Sequence, residues 1–200
     1  MTKQIVLGTK NKDKLRELQA LLKGAKIRVQ SLADFADCPE VAEDGRTFEA
    51  NARKKARFYS LHTKSLLLAD DSGLMVNALN GKPGVYSARF AGDHCTYLDN
   101  NKKLLQLLDG KPASKRKAKF VSFMALYDKG RFIAGVKGEC FGGIAFEARG
   151  NKGFGYDPVF IPDGFAKTFA EIAPASKNKI SHRGKALQKA KKEILKHIQS

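Results

Sequence analysis

The chain has 200 residues, 42% of them hydrophobic, and its 37 basic and 20 acidic side chains give a formal net charge of +17. Length and composition are those of a globular protein that can bury a substantial core. The longest apolar runs are far shorter than the roughly 20 residues needed to cross a bilayer, which argues against a membrane helix.

The positive charge favours anionic partners, because the average surface field attracts anions and speeds their capture. Nucleic acid, acidic lipid and small phosphorylated substrates all fit this charge, and so does a surface on which lysine only adds solubility. The placement of the charges along the chain must therefore decide between these classes.

The amino terminus and the cysteines indicate where the protein resides. Residues 5–7 form only a short apolar run, without the small-residue cleavage site of a secretory signal. The three cysteines, Cys38, Cys95 and Cys140, are widely separated and odd in number, which suits neither a disulfide framework nor a clustered metal site. A cytoplasmic location is expected.

The first predicted elements are a strand, a tight turn and a helix. Residues 4–9 have the apolar pattern of a short buried strand, and Asn11 can cap a helix that Gly24 ends. A second strand is predicted over residues 27–30, followed by an irregular stretch up to Gly45 that contains several acidic residues. Long irregular stretches frequently carry function.

The middle of the chain predicts a helix and then a strand that ends in acidic residues. Residues 47–62 have helical periodicity, with Thr47 as the cap. Residues 65–69 are a compact aliphatic run of strand length, and Asp70-Asp71-Ser72-Gly73 interrupts the apolar pattern after it. Two carboxylates are therefore expected at a strand end.

The remaining elements include a hairpin. Residues 98–108 have helical periodicity, and residues 119–127 and 131–141 are β-rich runs on either side of Asp128-Lys129-Gly130. A short turn of this composition predicts antiparallel pairing.

After the glycine-rich residues 142–157, a short strand over 159–161 and a last helix capped by Ser181 complete the chain. Strands and helices interrupted by a hairpin predict an α/β fold with a mixed sheet, as two lobes about a cleft.

Residues 9–14 form the first candidate site. This turn joins a strand to a helix and exposes backbone N–H groups at the positive end of the helix dipole. Its three lysines add charge, and Thr9 and Asn11 add short donors that can reach phosphate oxygens. Lysines near a helix start are commonly only solvated, so phosphate binding here needs support from other motifs.

The second candidate site is Asp70-Asp71, with Glu43 as a third carboxylate. Hard oxygen ligands suit Mg²⁺ or Mn²⁺, and Mg²⁺ binds through one or two carboxylates plus substrate phosphates. Adjacent aspartates on an extended segment point to opposite sides, so at most one of them faces such a site fully. The competing interpretation is a simple turn after an aliphatic strand.

The third candidate site is Phe154-Gly155-Tyr156-Asp157. Aromatic faces stack on nucleobases, and glycine lets backbone donors approach the base edge, where Asp157 could accept a hydrogen bond from a purine ring N–H. For Tyr156 alone, a core aromatic beside a tight turn is the favoured interpretation.

The fourth candidate site is Ser181-His182-Arg183-Gly184, with Lys177 just before it. A histidine beside an arginine at a helix start can bind a base or a phosphate, although in isolation a solvated cap is the simpler interpretation. The sequence contains neither H-E-x-x-H nor C-x-x-C, so zinc-dependent hydrolysis lacks support.

In this order the motifs resemble the inosine/xanthosine triphosphate pyrophosphatase family, whose members hydrolyse non-standard purine nucleoside triphosphates to the monophosphate and pyrophosphate. The likeness covers nearly the whole chain, and each motif is modest alone while the ordered set is specific. The motifs are Thr9-x-Asn11-x-x-Lys14, Glu43-Asp44-Gly45 followed by Thr47-Phe48 and Asn51-Ala52, Ala69-Asp70-Asp71-Ser72-Gly73-Leu74, Pro83-Gly84-Val85-Tyr86-Ser87-Ala88-Arg89, Gly153-Phe154-Gly155-Tyr156-Asp157-Pro158, and Lys177 with Ser181-His182-Arg183-Gly184.

The resemblance implies an elongated mixed β-sheet flanked by helices, one domain over residues 1–200 with two lobes around a central nucleotide-binding cleft, and a homodimer. Asp71 would be the proton acceptor and a metal ligand, and Glu43 the partner ligand, with Mg²⁺ or Mn²⁺ as the metal. Arg89 is a looser candidate. The substrate contacts would be Thr9, Lys10, Asn11, Lys12, Asp13, Lys14, Lys55, Ser72, Phe154, Gly155, Tyr156, Asp157, Lys177, His182 and Arg183.

The activity implied is hydrolysis of ITP, dITP and XTP, which removes them from the nucleotide pool. The partner would be a small-molecule nucleotide, with no membrane and no stable nucleic-acid partner. Two alternatives stay open, a pyrophosphatase for pyrimidine or other modified nucleotides and a basic nucleic-acid-binding module. The second alternative leaves the Asp70-Asp71 pair without a role.

Overall fold

The structure, a computed structural model, describes residues 3–35 and 38–199 and contains one mixed sheet within them. The strands pair in the order β2-β1-β3-β4-β5-β6. β1 runs parallel to β2 and to β3, whereas β5 and β6 are antiparallel, so the predicted mixed α/β sheet is confirmed. The strands are β1 (Lys3–Leu7), β2 (Ile27–Ser31), β3 (Leu66–Val76), β4 (Lys117–Asp128), β5 (Arg131–Ile144) and β6 (Phe160–Pro162).

Four of the five helices in the described residues were predicted from the sequence. The exception is α4, whose seven residues are too short and too polar to show an apolar period. Pro174 at its first turn supplies the backbone angle that a helix start needs. The helices are α1 (Lys12–Leu22), α2 (Phe48–Thr63), α3 (Tyr97–Leu107), α4 (Pro174–Ile180) and α5 (His182–Gln199).

The three predicted helix caps form the expected hydrogen bonds. Asn11 Oδ1 accepts from the Lys14 N–H at 3.2 Å. Thr47 Oγ1 accepts from the Ala50 N–H at 3.0 Å, and Ser181 Oγ accepts from the Gly184 N–H at 3.1 Å. Each cap satisfies a backbone donor that the first helical turn would otherwise leave without a partner.

The predicted hairpin joins β4 to β5. Lys129 and Gly130 both have positive φ, 47° and 86°, as the two central residues of a type I′ turn require. Strands that are sheet neighbours and are joined by so short a turn must run antiparallel.

The prediction that a strand ends at Asp70-Asp71 is wrong, because β3 continues through both residues to Val76. Both aspartates are buried within the strand. Charged residues usually interrupt an apolar run because burying them is costly. Here side chains from other elements compensate both carboxylates, which the sequence around them does not reveal.

The described residues pack into two compact units, each with its own core. The first comprises Met1–Asp71, Ser122–Lys137 and Ala186–Ser200, and the second comprises Ser72–Val121 and Gly138–Lys185. Fully buried residues of the first core include Ile5, Leu18, Ala186 and Ile194. Fully buried residues of the second core include Leu74, Leu104, Val159, Phe160 and Phe169.

No helix among residues 3–35 and 38–199 is long and apolar enough to cross a membrane. Cys38, Cys95 and Cys140 are all free thiols, and burial raises the pKa of Cys38 and Cys140.

Adjacent glycines of β5 provide a test of the packing between β5 and β6. A Cβ on Gly142 would lie 2.2 Å from the Ile161 carbonyl oxygen, whereas a Cβ on Gly143 would come only within 3.5 Å of its nearest neighbour. Because backbone must shift to admit it, Gly142→Ala should lower the free energy of unfolding by about 1–3 kcal/mol in urea denaturation. Gly143→Ala is the matched control, and an equal loss from both substitutions would contradict the packing described.

Candidate functional site

The turn after β1 is held close to β3 by its own residues. A Cβ on Gly8 would lie 2.9 Å from the Ala69 Cβ, so glycine permits this approach. Thr9 Oγ1 accepts a hydrogen bond from the Asn11 N–H at 3.2 Å, and Asn11 in turn caps α1. The turn therefore presents the amino-terminal end of an 11-residue helix, as expected from the sequence.

Lys14 lies on the carboxylate of Asp70. Its Nζ is 2.8 and 2.9 Å from the two oxygens of Asp70, whose side chain is only 4% exposed. This contact holds one lysine of the turn in a fixed position next to β3. Lys10 and Lys12 are exposed, and the side chain of Asp13 lies outside the part of the chain that the structure describes.

Asn51 connects the carboxylate of Asp71 to the irregular segment of residues 38–45, which we call the acidic loop. Its Nδ2 donates to Asp71 Oδ2 at 2.9 Å, and its Oδ1 accepts from the Gly45 N–H at 2.7 Å. The Gly45 donor fixes which end of the amide faces Asp71. Sequence reasoning did not assign this role to Asn51, although its position on the same helix face as Phe48 and Lys55 was a usable signal.

Lys55 interacts with both of the carboxylates predicted to bind metal. Its Nζ is 3.0 Å from Glu43 Oε1. Burial raises the pKa of Asp71. The positive charge of Lys55 and the hydrogen bond from Asn51 lower this pKa, and the negative charges of Glu43 and Asp70 raise it again. Glu43 and Asp71 are thus near enough to interact. Burial and the neighbouring negative charges disfavour the ionised form of Asp71 unless a positive charge compensates it.

The turn, the acidic loop and β3 line one cavity of about 300 Å³ in the first unit. Both predicted charge types border it, so the lysine-bearing turn and the acidic residues do meet. Asp70, rather than Asp71, lines the cavity directly. The predicted site residues on its wall are Thr9, Lys10, Lys14, Glu43 and Lys55.

A larger cavity of about 540 Å³ lies in the second unit, beside Arg116 and Phe146. None of the predicted site residues lines it. The Arg116 guanidinium is already bonded to the carbonyl oxygens of Leu108, Ile144 and Ala145. The volume of a cavity therefore does not by itself identify the functional site of this chain.

In the second unit, Asp157 braces the loop that contains Phe154. Asp157 Oδ2 accepts from the Phe154 N–H at 2.8 Å and forms an ion pair with Lys177 Nζ. Gly153, at φ 77°, lies so close that a Cβ would overlap Asp157 Oδ2. The carboxyl group is therefore committed to the loop and to Lys177, a role that the sequence did not indicate.

Tyr156 is a core residue, in agreement with the simpler interpretation of its sequence. Its ring packs in the second core and its hydroxyl donates to the Ser87 carbonyl oxygen at 2.9 Å. Burial raises the Tyr156 pKa. Ser87 also binds β3, because its Oγ accepts from the Leu74 N–H at 2.9 Å.

Phe154 has a partly exposed aromatic ring, and two cationic side chains lie over it. The Lys177 Nζ lies 5.1 Å and the Arg183 guanidinium carbon 5.3 Å from its ring centroid. An aromatic ring flanked by fixed cations suits a base that stacks and accepts hydrogen bonds.

The start of α5 is buried, so a solvated cap was the wrong interpretation of this motif. The His182 ring stacks on Phe120 with 4.5 Å between centroids and an interplanar angle of 9°. His182 and Arg183 are both buried. The aromatic partner lies on β4, far away in sequence, which is why the motif alone suggested exposure.

Two further predicted residues are Ser72 and Arg89. Ser72 follows Asp71 in β3 and is half-buried. Arg89 is exposed, with its guanidinium carbon 5.2 Å from the Tyr86 ring centroid.

The protein has a mixed α/β sheet, and both lysines and carboxylates line one of its cavities. These features define a class of protein that is suited to binding an anionic ligand together with a cation. Within this class the chain belongs to the Ham1 family, whose model matches residues 5–193.

Relatives and solved structures agree with this assignment over nearly full length. A protein of Thermoanaerobacter pseudethanolicus named dITP/XTP pyrophosphatase is 45% identical, covering 98% of each chain. A protein of the same name from Geobacillus kaustophilus is 50% identical over 94% of this chain and 92% of its own. The structure of a HAM1 protein from Coxiella burnetii superposes with a TM-score of 0.89 at 39% identity, covering 97% of this chain and 99% of that one.

Asp71→Asn should separate the stability of the site from its activity. Burial raises the Asp71 pKa above its ordinary value of 3.8, so the native state binds the carboxyl proton more tightly than the unfolded state does. The free energy of unfolding therefore falls as the pH rises from 3.8 through the raised pKa. We expect the variant to match or exceed the wild-type Tm at pH 8 and to lose this advantage near pH 4, while turnover falls by orders of magnitude.

The control is Asp128→Asn, which alters a carboxylate of the same unit that pairs with His197 and should keep normal turnover. Near-normal turnover of Asp71→Asn would remove Asp71 from the reaction.

Proposed function

We propose that this protein hydrolyses the non-standard purine nucleoside triphosphates ITP, dITP and XTP to the monophosphate and pyrophosphate, removing them from the nucleotide pool. The main support for the proposal is that two ion pairs, Lys14 with Asp70 and Lys55 with Glu43, line the same cavity. Such a set matches a polyphosphate and a cation together. The names of the relatives from Thermoanaerobacter and Geobacillus support the same activity.

In this proposal the phosphates bind at the charged cavity described above. The turn over residues 9–14 contributes backbone N–H groups at the start of α1, and Lys14 and Lys55 contribute charge. Ser72 adds a hydroxyl donor beside Asp71. The residues that contact the phosphates are then Thr9, Lys10, Asn11, Lys12, Asp13, Lys14, Lys55 and Ser72.

Glu43 and Asp71 would hold Mg²⁺ or Mn²⁺. Among residues 3–35 and 38–199 there is no group of three or more His, Cys, Asp or Glu side chains arranged for a metal. Two carboxylates fit Mg²⁺ nonetheless, because this ion takes its remaining ligands from water and substrate phosphates. Asp71 is buried and the negative charge of Glu43 raises its pKa, so this pair also suits a dication, which would supply Lewis-acid stabilisation of the phosphate charge.

The chain's own groups account for the proton and the geometry. Asp71 accepts a proton from the attacking water, whose oxygen forms a bond to the α-phosphorus while the bond to the bridging oxygen breaks. Pyrophosphate leaves with the electron pair of that bond. Asn51 keeps Asp71 Oδ2 in a fixed direction during this step, and Lys14 and Lys55 offset the charge of the phosphates.

In this proposal the base binds against Phe154, near Lys177 and Arg183. A 6-oxo purine has an acceptor where adenine has a donor, so cationic or N–H groups at that edge discriminate between them. Gly155, Tyr156, Asp157 and His182 shape this surface through the contacts described above. The same proposal includes a homodimer, a cytoplasmic location and one functional domain over residues 1–200.

Pyrophosphate release from ITP, dITP, XTP, GTP and ATP, with Mg²⁺ and with EDTA, tests the proposal. We expect ITP, dITP and XTP to be cleaved at least about tenfold faster in kcat/KM than ATP, corresponding to ~1.4 kcal/mol, with activity lost in EDTA. Equal rates for all nucleotides would refute the base preference, and preferred cleavage of pyrimidine nucleotides would favour the related-pyrophosphatase alternative. Tight, salt-sensitive binding of DNA or RNA without pyrophosphate release would favour a nucleic-acid-binding module.

A further inference from the structure

Two consecutive asparagines of α3 hold two different segments of the second unit. Asn101 Nδ2 donates to the Gly155 carbonyl oxygen at 3.0 Å. Asn100 Nδ2 donates to the Ala88 carbonyl oxygen at 3.2 Å, and its Oδ1 accepts from the Ala91 N–H at 2.8 Å. Successive helical side chains point in directions about 100° apart, so these neighbours reach separate segments.

The helix that carries Asn101 is firmly anchored. Thr96 and Asp99 form a capping box at its start. Leu104 and Leu108 are fully buried in the second core, which also contains the Tyr156 ring. Asn101 therefore projects from a fixed support towards the loop of residues 153–157.

Stability alone does not account for an asparagine at position 101. The residue is 5% exposed, and its Oδ1 forms no hydrogen bond within the described residues. A buried acceptor without a partner costs free energy that a leucine of similar shape would avoid. What the asparagine adds is the bond from Nδ2 to Gly155.

Gly155 needs an external support for its peptide group. It has φ 62°, and a Cβ added to it would meet no described atom within 4 Å, so packing does not restrain it. Its neighbours are restrained, since the Phe154 N–H is bonded to Asp157 and the Tyr156 hydroxyl to Ser87. A turn hydrogen bond from the Asp157 N–H to the Phe154 carbonyl oxygen closes over the peptide between them, and the bond from Asn101 is the side-chain contact that holds the carbonyl of this peptide.

Orienting the Gly155 carbonyl also orients a backbone donor. In a planar trans peptide the N–H points opposite to the C=O, so the Tyr156 N–H points away from Asn101. This N–H donates to no backbone carbonyl among the described residues. Tyr156 follows Phe154 and Gly155 directly in the chain, so this N–H belongs to the same loop as the Phe154 ring.

We propose that Asn101 is a positioning residue for base selection, because it holds the Gly155 carbonyl and so aims the Tyr156 N–H at the 6-oxo group of the purine. The inference rests on the proposed function. It assigns to α3, which contributes none of the predicted contacts, control over which base is accepted.

The test compares Asn101→Leu, which removes the donor at similar volume, with Asn101→Gln, which keeps an amide donor. We expect Asn101→Leu to raise KM for ITP about tenfold, to leave kcat within about threefold, and to lower the ITP to ATP ratio of kcat/KM about tenfold. Asn101→Gln should recover part of both changes. Titration with IMP by calorimetry should show the same weakening in Kd without any turnover.

Ser60→Ala is the matched control for lost stability, because Ser60 is a fully buried residue of the first unit whose Oγ accepts from the Gly130 N–H. This variant should lose Tm without changing KM or the nucleotide ratio. Unchanged KM and ratio in Asn101→Leu would overturn the inference, and so would equal changes in Ser60→Ala. Absence of pyrophosphate release by the wild type would instead overturn the proposed function, and the inference with it.

Discussion

The burial of two adjacent aspartates inside a continuous strand is the constraint on which the first unit depends. An isolated carboxylate could not remain ionised there without a large cost. Lys14 compensates Asp70 through two short contacts, while Asn51 and the charge of Lys55 act on Asp71. The turn after β1, the acidic loop and α2 all converge on β3 for this reason, and the charged cavity is the result of that convergence.

The second unit meets a different requirement, which is to hold a glycine-containing loop in one conformation. Three hydrogen bonds hold that loop. Asp157 accepts from the Phe154 N–H, the Ser87 carbonyl oxygen accepts from the Tyr156 hydroxyl, and Asn101 donates to the Gly155 carbonyl oxygen. Tyr156 fills the core beneath it, so Phe154 keeps a partly exposed face. A loop free to move would present no fixed donors, and selection between similar bases depends on fixed donors.

Much of the fold follows from local sequence, and the errors have a common physical origin. Capped helices, the two-residue turn at Lys129-Gly130 and the apolar strands were predicted because each depends on residues within a few positions. The predicted end of a strand at Asp70-Asp71 was wrong, and burial of His182 rules out the solvated cap, which was the simpler of two interpretations of that motif. In both cases a distant partner, Lys14 or Phe120, makes burial of a polar group acceptable.

Sequence patterns were enough to predict the class of fold, the positions of the charged and glycine-rich motifs, and the kind of ligand that these motifs suit. Long-range contacts settled which carboxylate lines the cavity, that Asn51 holds Asp71, and that Asn101 supports Gly155. These decisions depend on contacts such as that of Lys14 with Asp70, 56 residues apart. Local propensity cannot encode contacts of that separation, because they form only when the sheet brings its strands together.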